Sequence, residues 1–228
     1  MKRTKIAFAV SYAAALLLMV GCSNKNSVKI ENRNFEEEVE LRQNLVFTFS
    51  KDLVDDTLLN RWDSTQLIEI TPQVNGLFKW NTRRELMFSP EKGFAPATAY
   101  KAMVTKKILG KSMEHLSLDE NNSFDFHTPF LSLESMHGHW TRASAGSEAL
   151  NLLVSLSFNY KVPVAQLTQF AKLTIDGKPA QFTLNSSDAS DEAILVVSGF
   201  TKSDLKKVNV QVRIGEGMPC AESSTKTT

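Results

Sequence analysis

Apolar and polar side chains alternate along much of the chain with a period of two residues. In NLVFTFS, Leu45, Phe47 and Phe49 fall on one face and Val46 and Thr48 on the other. This period is the signature of a half-buried β-strand. Comparable stretches in the first half of the chain are LIEITP, LFKW, ELMF, TAYKAMV and SFDF. Because short strands follow one another with turn residues between them, the pattern predicts an all-β fold built as an antiparallel β-sandwich.

The segment LFKWNTRRELMF predicts a β-hairpin. Two apolar stretches flank the polar turn at 81–84, and strands joined by so short a connection pair with each other. We expect Trp80 and Phe88 to face each other across this hairpin and to belong to the core.

The segment VDDTLLNRW, residues 54–62, departs from the alternating pattern. Its apolar residues Leu58, Leu59 and Trp62 recur at the spacing of one helical face. The spacing predicts a short helix that crosses between the two sheets.

The second half of the chain repeats this organisation. LVSLSFNYKVPVAQLTQFA aligns without a gap on NLVFTFSKDLVDDTLLNRW, and the aligned apolar pairs are Phe49 with Phe158, Leu53 with Val162 and Leu58 with Leu167. Farther along, LTIDGKPAQFTL carries a hairpin signal at Asp176 and Gly177, and AILVVSGF and VNVQVRI have the pattern of strands. The repeat predicts two related sandwich domains in tandem.

The N-terminus has the layout of a secretory signal peptide. Lys2, Arg3 and Lys5 form a basic head, and residues 6–20 form an uncharged apolar body. This body is shorter than the roughly 20 residues that a membrane-spanning helix needs. We therefore predict a cleaved signal peptide rather than a permanent transmembrane anchor.

The end of this apolar run resembles the lipobox of bacterial lipoproteins. Leu16, Leu17 and Leu18 keep the apolar context, and the small residue Gly21 directly precedes Cys22. The resemblance implies that the Cys22 thiol carries a lipid and that Cys22 is the first residue of the mature protein. A lipid anchor would hold the protein at the bacterial cell envelope, facing the periplasm, with the membrane as its partner. A plain cleaved signal without a lipid is the alternative.

These patterns divide the chain into five segments. We predict a signal peptide at 1–21, a lipidated cysteine and polar tether at 22–40, a first β-sandwich at 41–129, a second β-sandwich at 130–217, and a linker or tail at 218–228.

Charge and cysteine content exclude several classes of function. The net charge of the chain is +1, which argues against a nucleic-acid partner. The glutamates in the tether at 36–40 are expected to form a solvated face rather than a cation site. Cys22 and Cys220 are the only cysteines, so the sequence contains no disulfide framework.

Two groups of residues have side chains of the types that bind metal ions, but neither completes a metal site. His137 and His139 would share one face of a strand, but two imidazoles do not complete a zinc site, and we expect them to pack beside Trp140 at the domain junction. The acidic stretch at 119–125 lacks the glycine and distal glutamate of a calcium loop, so it predicts a turn. No nucleophile motif or phosphate loop occurs in the sequence. We therefore predict no enzyme activity, no cofactor and no metal site.

Several motifs resemble the N-terminal part of bacterial alpha-2-macroglobulin family lipoproteins. They are P-x-V-x-G at 72–76, W-x(5)-L-x-F-x-P at 80–90 and T-x-Y at 98–100, together with the lipobox-like start and the tandem LSFNYKVPVAQL. The resemblance implies a row of Ig-like, macroglobulin-type β-sandwiches. It also implies a family whose full-length members are endopeptidase inhibitors that trap a protease after it cuts a bait segment.

The chain differs from that family where the trapping chemistry lies. Full-length members are several times longer, and their bait and thioester regions lie beyond the point where this chain stops. The tail sequence CAES differs from the thioester motif C-x-E-Q, because Ser223 has no side-chain carbonyl to bond the Cys220 thiol. We therefore expect a fragment that anchors and spaces, with proteases as partners only through the remainder of the protein. The alternative is a self-contained cell-envelope lipoprotein that serves adhesion or structural spacing.

Overall fold

The structure is a computed structural model that describes residues 26–110, 115–205 and 208–221 of the chain. About half of these residues belong to strands. In chain order the strands are β1 (Ser27–Val28), β2 (Ile30–Arg33), β3 (Leu45–Phe49), β4 (Trp62–Asp63), β5 (Ile68–Thr71), β6 (Gly76–Trp80), β7 (Glu85–Pro90), β8 (Ala99–Val104), β9 (Ser117–Leu118), β10 (Ser123–His127), β11 (Leu133–Arg142), β12 (Leu150–Pro163), β13 (Ala171–Ile175), β14 (Lys178–Ala180), β15 (Thr183–Leu184), β16 (Ala189–Phe200) and β17 (Val210–Ile214).

Helical structure is confined to short turns in the described part of the chain. The α-helix α1 (Leu167–Phe170) has four residues. Single turns of 3-10 helix occur at Asp56–Leu58, Lys106–Leu109, Val164–Gln166 and Lys202–Asp204. The predicted all-β class is therefore confirmed.

The first group of strands forms two facing sheets. Their strand orders are β2-β3-β7-β6-β4 and β10-β8-β5, with antiparallel neighbours throughout. The alternation predicted for β3 is confirmed, because Leu45, Phe47 and Phe49 are at most 1% exposed. Phe47 contacts Phe124 of the opposite sheet, with ring centroids 5.4 Å apart. Each such buried side chain contributes about 1.5–3 kcal/mol of hydrophobic stabilisation.

The predicted hairpin is present, but its register differs from the expected one. Phe88 lies opposite Phe78, and Trp80 lies opposite Leu86. Trp80 and Phe88 therefore do not face each other, although both are buried on the same side of the sheet. The prediction shifted the pairing by two residues. Such a shift keeps every side chain on its face, so the hydrophobic pattern alone does not detect it.

The helix predicted at 54–62 is wrong. Only the turn Asp56–Leu58 is helical, and Leu58 and Trp62 are 51% and 50% exposed. Because these apolar side chains face solvent, no buried face stabilises a longer helix. Instead, the carboxylate of Asp56 accepts hydrogen bonds from the Arg83 guanidinium at 2.6 and 2.7 Å, which lowers the pKa of Asp56.

The polar tether predicted at 22–40 is wrong over residues 27–40. β1 pairs in parallel with β9, and β2 pairs with β3 at the edge of the larger sheet. Phe35 and Val39 are 6% and 1% exposed and belong to the first core. The Val39 N–H also donates to the carbonyl of His127 at 2.9 Å. Strand pairing up to Arg33 and single backbone hydrogen bonds beyond it hold this polar segment, and its few apolar residues fix it to the sandwich.

The second group of strands also forms two facing sheets. Their strand orders are β11-β12-β16-β15 and β14-β13-β17. Leu152, Val154, Leu156 and Phe158 of β12 are at most 3% exposed, and they share one cluster with Leu173 of β13 in the other sheet. The fold predicted from the second half of the sequence is confirmed.

The structure reflects the internal repeat at its first two aligned pairs and departs from it at the third. Phe49, Phe158, Leu53 and Val162 are all buried. In both halves a turn of 3-10 helix follows, at Asp56–Leu58 and at Val164–Gln166. Leu167 is then 0% exposed, whereas its counterpart Leu58 is 51% exposed. The two halves therefore diverge directly after their shared strand and turn.

The linker or tail predicted at 218–228 is wrong over residues 218–221. Met218 and Cys220 are 1% and 4% exposed, and Met218 belongs to the second core. The Ala221 N–H donates to the carbonyl of Lys161 at 2.8 Å. The segment is polar in composition, but its two apolar side chains hold it against the second sandwich.

Each pair of sheets encloses a hydrophobic core of its own. The buried members of the first core run from Val28 to Phe126, and those of the second run from Leu152 to Met218. Nine of the 21 buried members of the first core are aromatic, against one of the 13 in the second. The boundary predicted between residues 129 and 130 stays a prediction.

Candidate functional site

Cys22, the predicted lipid-attachment residue, lies outside the described residues. The same holds for the signal peptide predicted at 1–21. Within the described ranges, the structure contains no helix that qualifies as a membrane span. The lipid anchor therefore stays a prediction.

His137 and His139 do not pack beside Trp140 as expected. Both histidines are exposed on the edge strand β11. Trp140 points to the opposite face, where its ring centroid lies 4.9 Å from that of Phe200. In the described part of the chain, no group of three His, Cys, Asp or Glu side chains is placed to hold a metal ion.

The acidic stretch at 119–125 fastens the N-terminal strand to the first sandwich. Asp119 Oδ1 accepts a hydrogen bond from the Asn121 N–H at 3.0 Å, which closes a turn. Asp119 Oδ2 accepts a hydrogen bond from the Ser27 hydroxyl at 3.2 Å and lies 3.9 Å from Lys29 Nζ. These contacts engage both oxygens of the carboxylate within the protein. The stretch therefore has a structural role at β1.

Cys220 is held as a buried thiol. Its side chain is 4% exposed, and burial raises its pKa. Because the thiolate is the reactive form of cysteine, both effects lower the nucleophilicity of this residue. The surroundings of Cys220 therefore favour a packing role.

The T-x-Y motif closes one end of the first sandwich. The Ala95 N–H donates to the Tyr100 hydroxyl oxygen at 2.7 Å. The Thr98 N–H donates to the Thr128 hydroxyl at 2.9 Å, and that hydroxyl donates to the Ala95 carbonyl at 2.7 Å. Burial raises the pKa of Tyr100, and the Ala95 hydrogen bond acts in the opposite direction. These contacts pin the loop before β8 against the end of β10.

A groove opens between the two sheets of the first sandwich, beside β5 and β6. Its volume is about 750 Å³. The floor consists of Ile68, Phe78 and Phe88, which are at most 3% exposed. The rim consists of Trp62, Ser64, Gln66, Gln73, Val74, Asn75, Gly76, Leu77, Ser89, Pro90 and Glu91. We call this cavity the first-sandwich groove.

The first-sandwich groove exists because the sheets do not close on this side. β5 is the last strand of its sheet, and β4 pairs with β6 only at Phe78 and Lys79. Trp62 of β4 belongs to the lining and is half exposed; it pairs with Lys79 of β6, whose Nζ lies 5.0 Å from its ring centroid. A cation over an aromatic face is attracted to it, so Lys79 holds the indole in place.

The P-x-V-x-G motif forms one wall of this groove. Its final residue, Gly76, lies against the ring of Phe88, and a Cβ added at Gly76 would lie 2.5 Å from Phe88 Cε2. Only a glycine permits this approach without displacing the ring. Sequence reasoning identified the motif but missed the groove, because its rim is assembled from separate segments.

Comparison with known sequences finds bacterial relatives. No protein-family model matches the chain. The chain is 26% identical to an alpha-2-macroglobulin of Pasteurella multocida over 162 residues, which cover 67% of this chain and 8% of that protein. It is 26% identical to an alpha-2-macroglobulin homolog of Yersinia pestis over 169 residues, which cover 72% of this chain and 8% of that protein. The chain thus spans 8% of the length of the curated relatives it matches.

Comparison with solved structures finds β-rich L,D-transpeptidases at low similarity. One from Mycobacterium smegmatis is 10% identical, with 81% of this chain and 76% of that chain covered and a TM-score of 0.31. One from Mycobacterium tuberculosis H37Rv is 12% identical, with 75% of each chain covered and a TM-score of 0.30. Scores at this level do not indicate a shared overall fold.

The motifs that carry the family resemblance are explained by packing. Gly76 admits the Phe88 ring, Trp80 and Leu86 pair in the core, and Tyr100 receives the Ala95 hydrogen bond. The sequence similarity to the two curated relatives covers 67–72% of the chain. The predicted resemblance is therefore confirmed: this chain is similar in sequence to the bacterial alpha-2-macroglobulins.

Proposed function

We propose that this chain is a membrane-anchored spacing portion of a bacterial alpha-2-macroglobulin-like endopeptidase inhibitor. In this proposal Cys22 carries the lipid, and the two sandwiches form a scaffold at the cell envelope. The scaffold performs no catalysis. Protease trapping is assigned to the parts of such an inhibitor that this chain does not match.

One observation carries the proposal: the similarity to two bacterial alpha-2-macroglobulins over most of the chain. The structure supports the spacing role, because each sandwich has its own core and adds length without needing a ligand. The buried state of Cys220 supports a lack of covalent chemistry, since a buried thiol with a raised pKa is a poor nucleophile.

The anchor is tested by fatty-acid labelling in a bacterial host. We expect the wild-type chain to incorporate labelled palmitate and to partition into detergent, and we expect Cys22→Ser to lose the label. The matched control is Cys220→Ser, which removes the other cysteine and should keep the label. If the label is absent from the wild type while detergent partitioning persists in Cys22→Ser, residues 6–20 act as an uncleaved anchor and the lipid proposal is wrong.

The scaffold role is tested by incubating the purified chain with broad-specificity proteases and with peptide substrates. We expect no hydrolysis by the chain and no adduct that survives boiling in detergent. A covalent adduct that disappears in Cys220→Ser would contradict the assignment of trapping to other regions.

A further inference from the structure

Strand β11 forms the longest open sheet edge in the described part of the chain. It has ten residues, and among the described strands it pairs with β12 alone. We infer that β11 associates with β11 of a second copy of this chain, and that the two copies together bind a zinc ion through His137 and His139. The inference goes beyond the scaffold function and depends neither on the lipid anchor nor on protease inhibition.

The middle of this edge lacks the features that keep most sheet edges apart. Proteins protect exposed edges with lysine, proline, inward-pointing charges or bulges. Residues 135–141, SMHGHWT, contain no Lys, Pro, Asp, Glu or Arg, and the irregularity in the pairing with β12 lies before them, between Leu133 and Ser135. Gly138, at the centre, has no side chain to hinder the close approach of another backbone. The edge is therefore open to pairing with a further strand.

The hydrogen bonds to β12 show which backbone groups face the open side. The register continues past the end of β11, where the Ala143 N–H donates to the carbonyl of Ala149, directly opposite it, at 2.9 Å. In an antiparallel ladder, residues that bond to the partner strand alternate with residues whose N–H and C=O point away from it. The outward-pointing groups are therefore those of the even-numbered residues from Met136 to Arg142.

A second β11 strand fits this edge when a two-fold axis passes through Gly138. Gly138 then lies opposite Gly138 of the second copy, and Met136 lies opposite Trp140, so outward-pointing groups bond to outward-pointing groups. Glu134 and Arg142, both exposed, lie opposite each other at the two ends and pair opposite charges. Registers shifted by two residues in either direction lose this charge pair. The interface is self-complementary, and it joins the two four-stranded sheets into one.

The same register brings four imidazoles together on the outer face of the sheet. His137 and His139 are exposed and share one face of β11. His137 of each copy would lie opposite His139 of the other, in non-hydrogen-bonded pairs whose Cα atoms are about 4.5 Å apart. Within one strand the two histidines are roughly 7 Å apart. Side chains at these spacings converge on a single ion near the two-fold axis.

Four imidazoles match the ligand preference of zinc, which binds them tetrahedrally at about 2.0–2.1 Å. One copy supplies two of the four ligands, and within the described residues no third His, Cys, Asp or Glu is placed to join them. The residues opposite these histidines on β12 are Ser155 and Leu153, which carry no charge that would repel a cation. The site is complete only in the dimer, so bound zinc favours the dimer by mass action.

Zinc binding and association are measured together on the full chain in detergent. We expect sedimentation velocity to show monomers with EDTA and dimers with zinc chloride, and calorimetric titration to show one zinc ion for two chains. The double variant His137→Gln and His139→Gln should lose zinc-dependent dimerisation and bind zinc at least roughly a hundredfold more weakly. His115→Gln is the matched control, because His115 is likewise exposed, and it should change neither result.

Disulfide formation tests the register by a separate route. Ser135 of one copy would lie opposite Thr141 of the second, and neither residue would lie near its own counterpart. A mixture of Ser135→Cys chains with Thr141→Cys chains should form a linked dimer on mild oxidation with zinc, because Cα atoms about 4.5 Å apart suit a disulfide. Either variant alone should show no more cross-linking than the wild type, in which Cys22 and Cys220 set the background.

Three results would overturn the inference. The first is a chain that stays monomeric with zinc, or binds one zinc ion per monomer, while circular dichroism shows a folded β protein. The second is zinc-dependent dimerisation that the double histidine variant leaves unchanged. The third is equal cross-linking in the mixture and in the single-variant samples, which would contradict a two-fold axis at Gly138.

Discussion

Removal of the Phe88 ring should cost the first sandwich a large part of its stability. Phe88 is 2% exposed, and its centroid lies 5.0 Å from that of Phe78 on the neighbouring strand. Gly76 lies directly against the ring, so no side chain there can swing in to fill the space. Phe88→Ala should therefore leave a cavity and cost about 3–5 kcal/mol. Domains of this size are stable by about 5–15 kcal/mol in total.

Urea unfolding monitored by tryptophan fluorescence measures this loss. Trp80 is buried in the first core, and Trp140 packs on the second. Because the cores are separate, we expect Phe88→Ala to lower the urea midpoint at which the first sandwich unfolds. The midpoint of the second sandwich should not change. Leu77→Ala on the adjacent strand, where the side chain is 44% exposed, is the control and should change stability by less than about 0.5 kcal/mol.

A small effect would refute this reasoning. If Phe88→Ala lowered the free energy of unfolding by less than about 1 kcal/mol with an unchanged urea dependence, the ring could not be packed as described. An equal shift of both transitions would show instead that the two cores unfold as one unit.

Three further predictions follow from particular contacts. Tyr100→Phe should cost about 1–2 kcal/mol by urea unfolding, because the Ala95 N–H loses its acceptor. Gly76→Ala should cost about 1–3 kcal/mol in the same assay, because its methyl group would overlap the backbone oxygen of Ser89 and the Phe88 ring. Because burial raises the pKa of Cys220, its contribution to stability is present below the unfolded thiol pKa and is lost as pH rises through the folded one. Urea midpoints should therefore fall above about pH 9 in the wild type and fall less in Cys220→Ser.

The strands were predictable wherever one face is buried along a whole segment. Tyr100, Ala102 and Val104 alternate with polar residues in the sequence and are at most 4% exposed in the structure. Such a pattern reflects burial directly, because side chains on a strand point to opposite faces in turn. It does not define the register, which is why the Trp80 and Phe88 pairing was misplaced.

The missed features depend on contacts between distant parts of the chain. β1 has two residues, and its partner β9 lies at Ser117–Leu118, so no local pattern marks it as a strand. The predicted helix failed for the opposite reason: Leu58 and Trp62 have helical spacing but face solvent. The first-sandwich groove was missed because its rim joins the β4–β5, β5–β6 and β7 segments, which only the folded sheets bring together.

If Cys22 carries a lipid, the early start of β1 limits how far the first sandwich can lie from the membrane. If residues 22–40 were a free tether, the first sandwich could move up to roughly 60 Å from a lipid on Cys22. Because β1 begins at Ser27, the connection from Cys22 spans at most roughly 17 Å when fully extended. With the lipid at Cys22, the start of β1 would therefore stay within roughly 17 Å of the membrane surface, and the face around β1 and β9 would be the part of this sandwich closest to the headgroups.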